Sequence, residues 1–325
     1  MDKDKMIVVT GGAGFIGSGV VRHLNNLGYT NLLIVDDLWD SEKWKNLVGK
    51  QYVDIVSRFK IFDVLDDCAA DVGAYIHLGA CSSTVEKNAD YLLENNYRFS
   101  VLLAEYAFEN HSRFIYASSA ATYGDGENGF DDNHDTLESL YPLNMYGYSK
   151  HMFDLWLKKN DLLNEAVGLK YFNVFGPNEY HKGRMASAIT HFLPSAKSGQ
   201  AIKLFRSNHK DFSDGDQKRD FIYVKDAVRM TCAFLENDAS GIFNIGMGKA
   251  SSWNELATGV FKALDIPSKI EYIDMPEDLV GKYQNFTQAP MGKTRQALGE
   301  DASTASLEDS VKEYVTDYLL TGKTW

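Results

Sequence analysis

The N-terminal stretch constrains the fold most strongly. A short β-branched run, Met6–Thr10, leads directly into Gly11, Gly14 and Gly17, which are spaced three residues apart. Apolar residues after Gly17 recur with a helical period, so the sequence predicts a strand, a glycine turn and a helix. Glycines let the backbone approach a pyrophosphate, and the helix N-terminus offers amide donors to it. The start of the chain therefore predicts a dinucleotide-binding crevice.

A second predicted strand, Asn31–Val35, ends in Asp36 and Asp37, where a ribose-binding acid is expected. Two carboxylates favour NAD, because they repel the 2′-phosphate of NADP. Lys43 and Arg58 are the nearest cations in sequence, and they are either solvated surface charges or contacts to that phosphate. The residues themselves leave both cofactors open.

Further strand and helix segments alternate along the chain. Residues 61–64 are predicted as a third strand whose Asp63 approaches the adenine, and residues 74–80 as a buried strand ending in small residues that let a ligand approach. A helix is expected over 91–110, and His77 is interpreted as a core histidine rather than a catalyst. This alternation predicts an α/β fold, a Rossmann-type doubly wound parallel sheet with a smaller α/β substrate-binding domain.

The stretch from Arg113 to Lys150 carries candidate chemistry. An apolar strand ends in Ser118 and Ser119, and a later helix start places Tyr146 and Lys150 four residues apart, on one helical face. An ammonium beside a phenol lowers the phenol's pKa and makes it a usable proton acceptor. A serine hydroxyl at the strand end could hydrogen-bond the reacting oxygen. Alone, this spacing also fits an ordinary helix start.

The sequence becomes more polar and more basic after a strand predicted over 166–174. A polar, basic loop over 178–184 precedes a helix over 185–198, and more cations follow at 203–210 and 218–219. These charges are either solvated surface or a pocket for a substrate diphosphate. From Phe221, a strand, a helix over 227–235 and a strand over 241–245 are expected to return to the main sheet. The predicted domains are 1–173 with 221–252 for the dinucleotide, and 174–220 with 253–325 for the substrate.

Composition narrows the class of partner. A net charge of −12 argues against nucleic acid or an anionic membrane as the main partner. Cys68, Cys81 and Cys232 lack the spacing of metal ligands or disulfides, so no metal site is expected and reduced thiols in a cytoplasmic protein are predicted. No signal peptide or transmembrane run is recognised.

Several strings together resemble the extended short-chain dehydrogenase/reductases that act on nucleotide sugars. The glycine turn, Ser119 and Tyr146-x-x-x-Lys150 carry the general likeness. The longer strings resemble that family's 6-epimerases of ADP-manno-heptose, which serve lipopolysaccharide core synthesis. They are Gly79-Ala-Cys-Ser-Ser-Thr84, Tyr116-Ala-Ser-Ser-Ala-Ala-Thr-Tyr-Gly124, Tyr171-Phe-Asn-Val-Phe-Gly-Pro177, His181-Lys-Gly183 and Tyr283-Gln-Asn-Phe-Thr-Gln288.

The resemblance implies bound NADP, with NAD as the alternative, an ADP-manno-heptose substrate and a homo-oligomer, with a pentamer as one form. It assigns catalysis to Ser119, Tyr146 and Lys150, with Lys182 as a second base. The implied cofactor-binding residues are Gly11, Gly12, Gly14, Phe15, Ile16, Gly17, Asp36, Asp37, Lys43, Arg58, Leu78, Gly79, Ala80, Cys81, Ser82, Asn95, Tyr146, Lys150, Val174 and Lys182. The implied substrate-binding residues are Asn173, Arg184, His191, Phe205, Arg206, Ser207, Asn208, Arg219 and Tyr283.

Two alternatives remain at the level of the sequence. The same scaffold serves nucleotide-sugar 4-epimerases and 4,6-dehydratases, but a dehydratase usually places an acid just after its active-site hydroxyl residue, where this chain has Ala120 and Ala121. A non-catalytic dinucleotide-binding protein is the other alternative. The intact set of Ser119, Tyr146 and Lys150 argues against it, because a pure binder has no need of a phenolate.

Overall fold

The computed structural model describes residues 1–276 and 284–325. The strands within these residues are β1 Met6–Thr10, β2 Leu32–Val35, β3 Asp54–Val56, β4 Val72–His77, β5 Arg113–Ser119, β6 Ala166–Tyr171, β7 Asn173–Phe175, β8 Ile202–Phe205, β9 Lys218–Tyr223, β10 Gly241–Ile245, β11 Ala250–Ser252 and β12 Ile270–Ile273. A seven-stranded parallel sheet has the order β10-β6-β5-β4-β1-β2-β3. A three-stranded sheet has the order β11-β9-β7, and a two-stranded sheet pairs β12 with β8.

Helices connect the parallel strands. The α-helices are α1 Phe15–Asn26, α2 Ile61–Cys68, α3 Ala89–Leu92, α4 Phe99–Glu109, α5 Met145–Lys159, α6 Ala188–Lys197, α7 Val224–Ala233, α8 Trp253–Ala263, α9 Gly292–Leu298 and α10 Leu307–Glu313. A π-helical segment, Leu93–Arg98, joins α3 to α4 in one continuous run, and a second π-helical segment, Tyr314–Leu319, continues α10.

The large sheet is buried on both faces. Ile7 and Val9 of β1 belong to one apolar cluster, together with Ile34 of β2. Val8 of β1 and Leu33 of β2 belong to a second cluster. Side chains alternate between the faces of a strand, so these two clusters are the two layers that cover the sheet. Continuous β-branched runs such as that of β1 follow from this double burial. The predicted doubly wound parallel sheet is confirmed.

Three predicted strands differ from the structure. The strand predicted over 166–174 is divided into β6, which lies in the main sheet, and β7, which lies in the three-stranded sheet. Residues 61–64 begin α2, and the third strand is instead Asp54–Val56, which pairs with β2. Asp63 lies on the exposed surface beside Lys60, so its predicted approach to the adenine is wrong. β9 pairs with β7 and β11 in the three-stranded sheet, whereas β10 does return to the main sheet beside β6. A short apolar run does not reveal which sheet will bury it.

Candidate active site

The glycine turn between β1 and α1 is closely packed. Gly11 has φ +67°, and a Cβ there would lie 2.8 Å from the Cα of Gly79. A Cβ at Gly17 would lie 2.1 Å from the carbonyl oxygen of Gly11, to which the amide of Gly14 donates at 2.9 Å. Side chains at these positions would therefore force the turn apart. The turn leaves the N-terminus of α1 open toward a cavity, as a pyrophosphate requires.

Each of the two acids after β2 is paired with one cation. Asp36 Oδ2 accepts a hydrogen bond from the amide of Ala13 at 2.9 Å, and its Oδ1 lies 2.6 Å from Lys43 Nζ. Asp37 Oδ2 lies 3.1 Å from Arg58 Nε. The ion pairs offset the repulsion that the carboxylates would exert on a 2′-phosphate. Each carboxylate is therefore compensated by a neighbouring cation.

Local structure at the start of α5 brings Tyr146 to Ser119. The side chain of Asn144 caps the helix by accepting a hydrogen bond from the amide of Gly147 at 2.9 Å. A Cβ at Gly147 would lie 2.7 Å from the carbonyl oxygen of Ala121, so a glycine lets the helix pack against the segment after β5. The phenol of Tyr146 consequently hydrogen-bonds Ser119. Lys150 lines the same cavity as Ser119 and Tyr146.

The predicted effect of Lys150 on Tyr146 differs from what the structure shows. Burial raises the pKa of the Tyr146 phenol, and the hydrogen bond with Ser119 only partly opposes that rise. Burial also lowers the pKa of Lys150 to about 8, against the opposing charge of Asp154. The prediction that Lys150 lowers the Tyr146 pKa is therefore wrong for these side chains alone, because removal from water is the larger effect.

Lys182 lies in a separate element, the 3₁₀ segment Tyr180–Met185. Its Nζ is 4.9 Å from the centroid of the Phe15 ring, and Phe15 is the first residue of α1. Burial lowers the pKa of Lys182, while Glu179 raises it. Arg184, on the same segment, is exposed and does not contribute to this lowering. A lysine with a lowered pKa is suited to accept a proton.

These groups line one cavity of about 740 Å³ at the carboxyl ends of the parallel strands. Its floor is the switch point of the sheet, where β1 lies between β2 and β4, the place where open α/β sheets bind ligands. The predicted residues that line it are Gly11, Gly14, Phe15, Ile16, Gly17, Asp36, Asp37, Lys43, Arg58, Leu78, Gly79, Ala80, Cys81, Ser82, Asn95, Ser119, Tyr146, Lys150, Asn173, Val174 and Lys182. The turn, the acid and cation pairs and the open helix terminus fit a nicotinamide dinucleotide.

Other predicted residues lie elsewhere. Gly12 sits behind the turn, where a Cβ would be 2.9 Å from Ile34 Cγ2. Arg206 faces Asp214 and Asp274, and its neighbours Phe205, Ser207 and Asn208 are also outside the cavity lining, as are Arg184 and the exposed His191. Arg219 is buried with its guanidinium carbon 5.9 Å from the centroid of the Trp253 ring, and Trp253 lines the cavity. Tyr283 lies outside the described residues.

Some lining residues were missed by the sequence reasoning. They include Tyr91, His181, Ser187, Phe221 and Trp253, which reach the cavity from separate elements. His181 belongs to the string His181-Lys-Gly183 and immediately precedes Lys182. The sequence pattern does not identify the aromatic residues as cavity-lining, because an apolar side chain that faces a ligand has the same periodicity as one that faces the core.

Among residues 1–276 and 284–325, no helix is long and apolar enough to cross a membrane. In the same ranges, no cluster of three or more His, Cys, Asp or Glu residues could hold a metal ion, and Cys68, Cys81 and Cys232 are free thiols.

Known proteins resemble this chain over nearly its full length. An ADP-L-glycero-D-manno-heptose-6-epimerase of Nitratidesulfovibrio vulgaris is 53% identical over 317 residues, covering 97% of this chain and 98% of the relative. The crystal structure of ADP-L-glycero-D-manno-heptose-6-epimerase from Helicobacter pylori matches with a TM-score of 0.80 and 28% identity, covering 97% of each chain. A UDP-N-acetylglucosamine 4-epimerase from Methanobrevibacter ruminantium matches with a TM-score of 0.80 and 25% identity, covering 99% of this chain and 100% of the other.

The family model described as the NAD dependent epimerase/dehydratase family matches residues 7–246. That range runs from β1 to the end of β10, so it contains the whole seven-stranded sheet, the glycine turn and the residues Ser119, Tyr146, Lys150 and Lys182. The chain belongs to the NAD dependent epimerase/dehydratase family.

Proposed function

We propose that this chain converts ADP-D-glycero-D-manno-heptose to ADP-L-glycero-D-manno-heptose by inverting C6, with retained NADP, for lipopolysaccharide core synthesis. The observation that carries the proposal is the cavity that Tyr146 of α5 and Lys182 of the segment Tyr180–Met185 both line, together with the glycine turn. The named heptose epimerase relatives support the choice of substrate. The ion pairs at Asp36 and Asp37 support NADP over NAD.

The chemistry needs a proton partner on each side of C6. Bound NADP supplies a reversible acceptor for the C6 hydrogen, so C6 can pass between a secondary alcohol and a ketone. In one orientation Tyr146 exchanges the hydroxyl proton while Ser119 hydrogen-bonds the oxygen. In the other orientation the oxygen faces the loop, where Lys182 is the proton partner. Lys150 lines the same cavity and carries a positive charge at pH values below its pKa of about 8.

The direct test incubates the purified protein with each ADP-manno-heptose epimer and follows interconversion by NMR. Tyr146→Phe and Lys182→Met are each expected to slow interconversion by about 10²–10⁴-fold, because each removes one general acid/base. Both variants should retain the cofactor. Each variant should still exchange hydride with an aldehyde analogue of the substrate, provided that the analogue binds in the orientation served by the remaining base.

The main alternative is a 4-epimerase acting on another nucleotide sugar, a chemistry carried by a protein of the same fold. That alternative predicts near-normal turnover in Lys182→Met, with Tyr146 as the sole acid/base, and inversion of a UDP-hexose. A protein that binds neither dinucleotide would exclude both epimerase schemes. A homo-oligomer, with a pentamer as one form, and a cytoplasmic location are parts of the proposal that the family resemblance supports, and sedimentation would test the first.

A further inference from the structure

A fully buried carboxylate closes the loop that carries Lys182. Glu179 is 0% exposed, and its backbone oxygen accepts a hydrogen bond from the amide of Lys182 at 2.9 Å. Its side chain reaches past the loop to Ser187, whose amide donates to Oε2 at 2.7 Å and whose hydroxyl donates to Oε1 at 2.5 Å. One residue thereby joins the beginning of the segment Tyr180–Met185 to the residue just before α6.

The same carboxylate ties the loop to a distant part of the chain. Tyr314, also 0% exposed, donates its hydroxyl to Glu179 Oε1 at 2.9 Å. The Tyr314 ring lies 6.4 Å from that of Phe175, which ends β7 and lines the cavity. All of these partners are donors, and a carboxylate can accept from all of them. A glutamine offers one acceptor oxygen and a donor nitrogen, so it cannot replace the glutamate here.

Glu179 also contributes charge near the amine of Lys182. It opposes the lowering of the Lys182 pKa that burial causes. The other titratable group that faces Lys182 is His181, on the same loop, which in turn faces Lys43 and Asp36. Tyr180 and Tyr314 face Glu179 itself, and both are neutral because burial raises the pKa of each phenol. Tyr146 and Lys150 line the same cavity as Lys182.

We propose that Glu179 is a positioning residue for Lys182: its carboxylate holds the loop closed and supplies the negative charge beside the second base. This inference rests on the proposed function, in which Lys182 exchanges a proton with the substrate. Glu179 is not among the residues that line the cavity. Its effect passes through the geometry of one loop and the protonation of one amine.

The test compares Glu179→Gln with Tyr314→Phe. Glu179→Gln is expected to reduce kcat for interconversion by at least tenfold, and to shift the acid limb of the kcat profile to lower pH, because Lys182 loses a neighbouring negative charge. Tyr314→Phe keeps the carboxylate and removes one donor to it, so its pH profile should match the wild type. Cofactor retention and hydride exchange in the orientation served by Tyr146 should be unchanged in both variants.

Some outcomes would overturn the inference. An unmoved pH profile in Glu179→Gln would exclude the role of charge, and equal shifts in Glu179→Gln and Tyr314→Phe would assign the effect to packing. If Glu179→Gln does not fold, Ser187→Ala removes one hydrogen bond while keeping the charge. That variant should lower kcat without moving the acid limb, and an unchanged kcat would exclude positioning.

Failure of this inference is distinguishable from failure of the proposed function. Normal epimerisation in Lys182→Met would reject Lys182 as the second base, whatever Glu179 does. Loss of epimerisation in Lys182→Met together with a wild-type rate and pH profile in Glu179→Gln would reject the role of Glu179 alone.

Discussion

Lys170 Nζ lies 2.8 Å from Asp154 Oδ2, and both side chains are 0% exposed. The same carboxylate accepts hydrogen bonds from the hydroxyls of Tyr116 and Ser118, each at 2.8 Å. Asp154 is one turn after Lys150 on α5, and Lys170 is paired with Ser118 across β5 and β6. The buried pair therefore joins the helix that carries Lys150 to the strand that ends in Ser119.

Loss of Lys170 should destabilise the whole domain. Lys170→Met leaves Asp154 charged and buried without its cation, a change that costs about 3–5 kcal/mol of unfolding free energy. Lys262→Met is the matched control, because Lys262 lies 2.7 Å from Glu308 in a pair that is more than half exposed. Such surface pairs contribute about 0–1 kcal/mol. Urea unfolding of the three proteins measures the difference, and equal losses would contradict the role of burial.

Cofactor selectivity should depend on the two cations beside the acids. Lys43→Ala combined with Arg58→Ala leaves Asp36 and Asp37 uncompensated, and it should reduce the ratio of NADP to NAD affinity by at least about tenfold, or about 1.4 kcal/mol. Lys45→Ala, which removes an exposed cation paired with Glu42, is the control. Calorimetric titration with both dinucleotides gives the ratio. If the double variant keeps the wild-type ratio, the two cations are surface charges.

The glycine turn should be least tolerant at Gly17. Gly17→Ala places a methyl group 2.1 Å from the carbonyl oxygen of Gly11, so the turn must open. The purified protein should therefore lose its dinucleotide. Gly14→Val should also lose it, although a Cβ there would meet Gly11 at 3.0 Å. Gly292→Ala, at a position with no neighbour within 4 Å, should keep the cofactor. Absorbance and mass spectrometry of the purified variants provide the measurement.

Acid should destabilise the fold through His77. Burial lowers its pKa from 6.5 to about 3, and its ring nitrogens are hydrogen-bonded to Thr10 at 2.6 Å and Ser100 at 2.8 Å. Between these pKa values the unfolded chain binds a proton that the folded chain does not, so stability falls as the pH drops from about 6.5 toward 3. His77→Gln should reduce the slope of unfolding free energy against pH by about 1 kcal/mol per pH unit near pH 5.5. Equal slopes in the wild type and His77→Gln would mean that His77 is already protonated in the folded protein near that pH.

Local patterns predicted much of the molecule. The β-branched run before Gly11 predicted β1, the glycine spacing predicted the turn, and both were confirmed. His77 was predicted as a core histidine, and its full burial between two hydroxyl partners confirms this. Resemblance to the nucleotide-sugar epimerases was confirmed by the family match and the named relatives. The assignments of Lys182, Arg219 and Tyr283 to roles in catalysis or substrate binding stay predictions.

The sequence by itself determined the features that depend on neighbours along the chain: the strand, turn and helix at the N-terminus, the shared helical face of Tyr146 and Lys150, and the acids after β2. Only the tertiary structure decided which distant residues meet. It placed β9 outside the main sheet, brought Lys182 onto Phe15, paired Asp36 and Asp37 with Lys43 and Arg58, and raised the pKa of Tyr146 through burial. The physical reason is that desolvation and charge pairing depend on packing between segments far apart in sequence, which local periodicity does not encode.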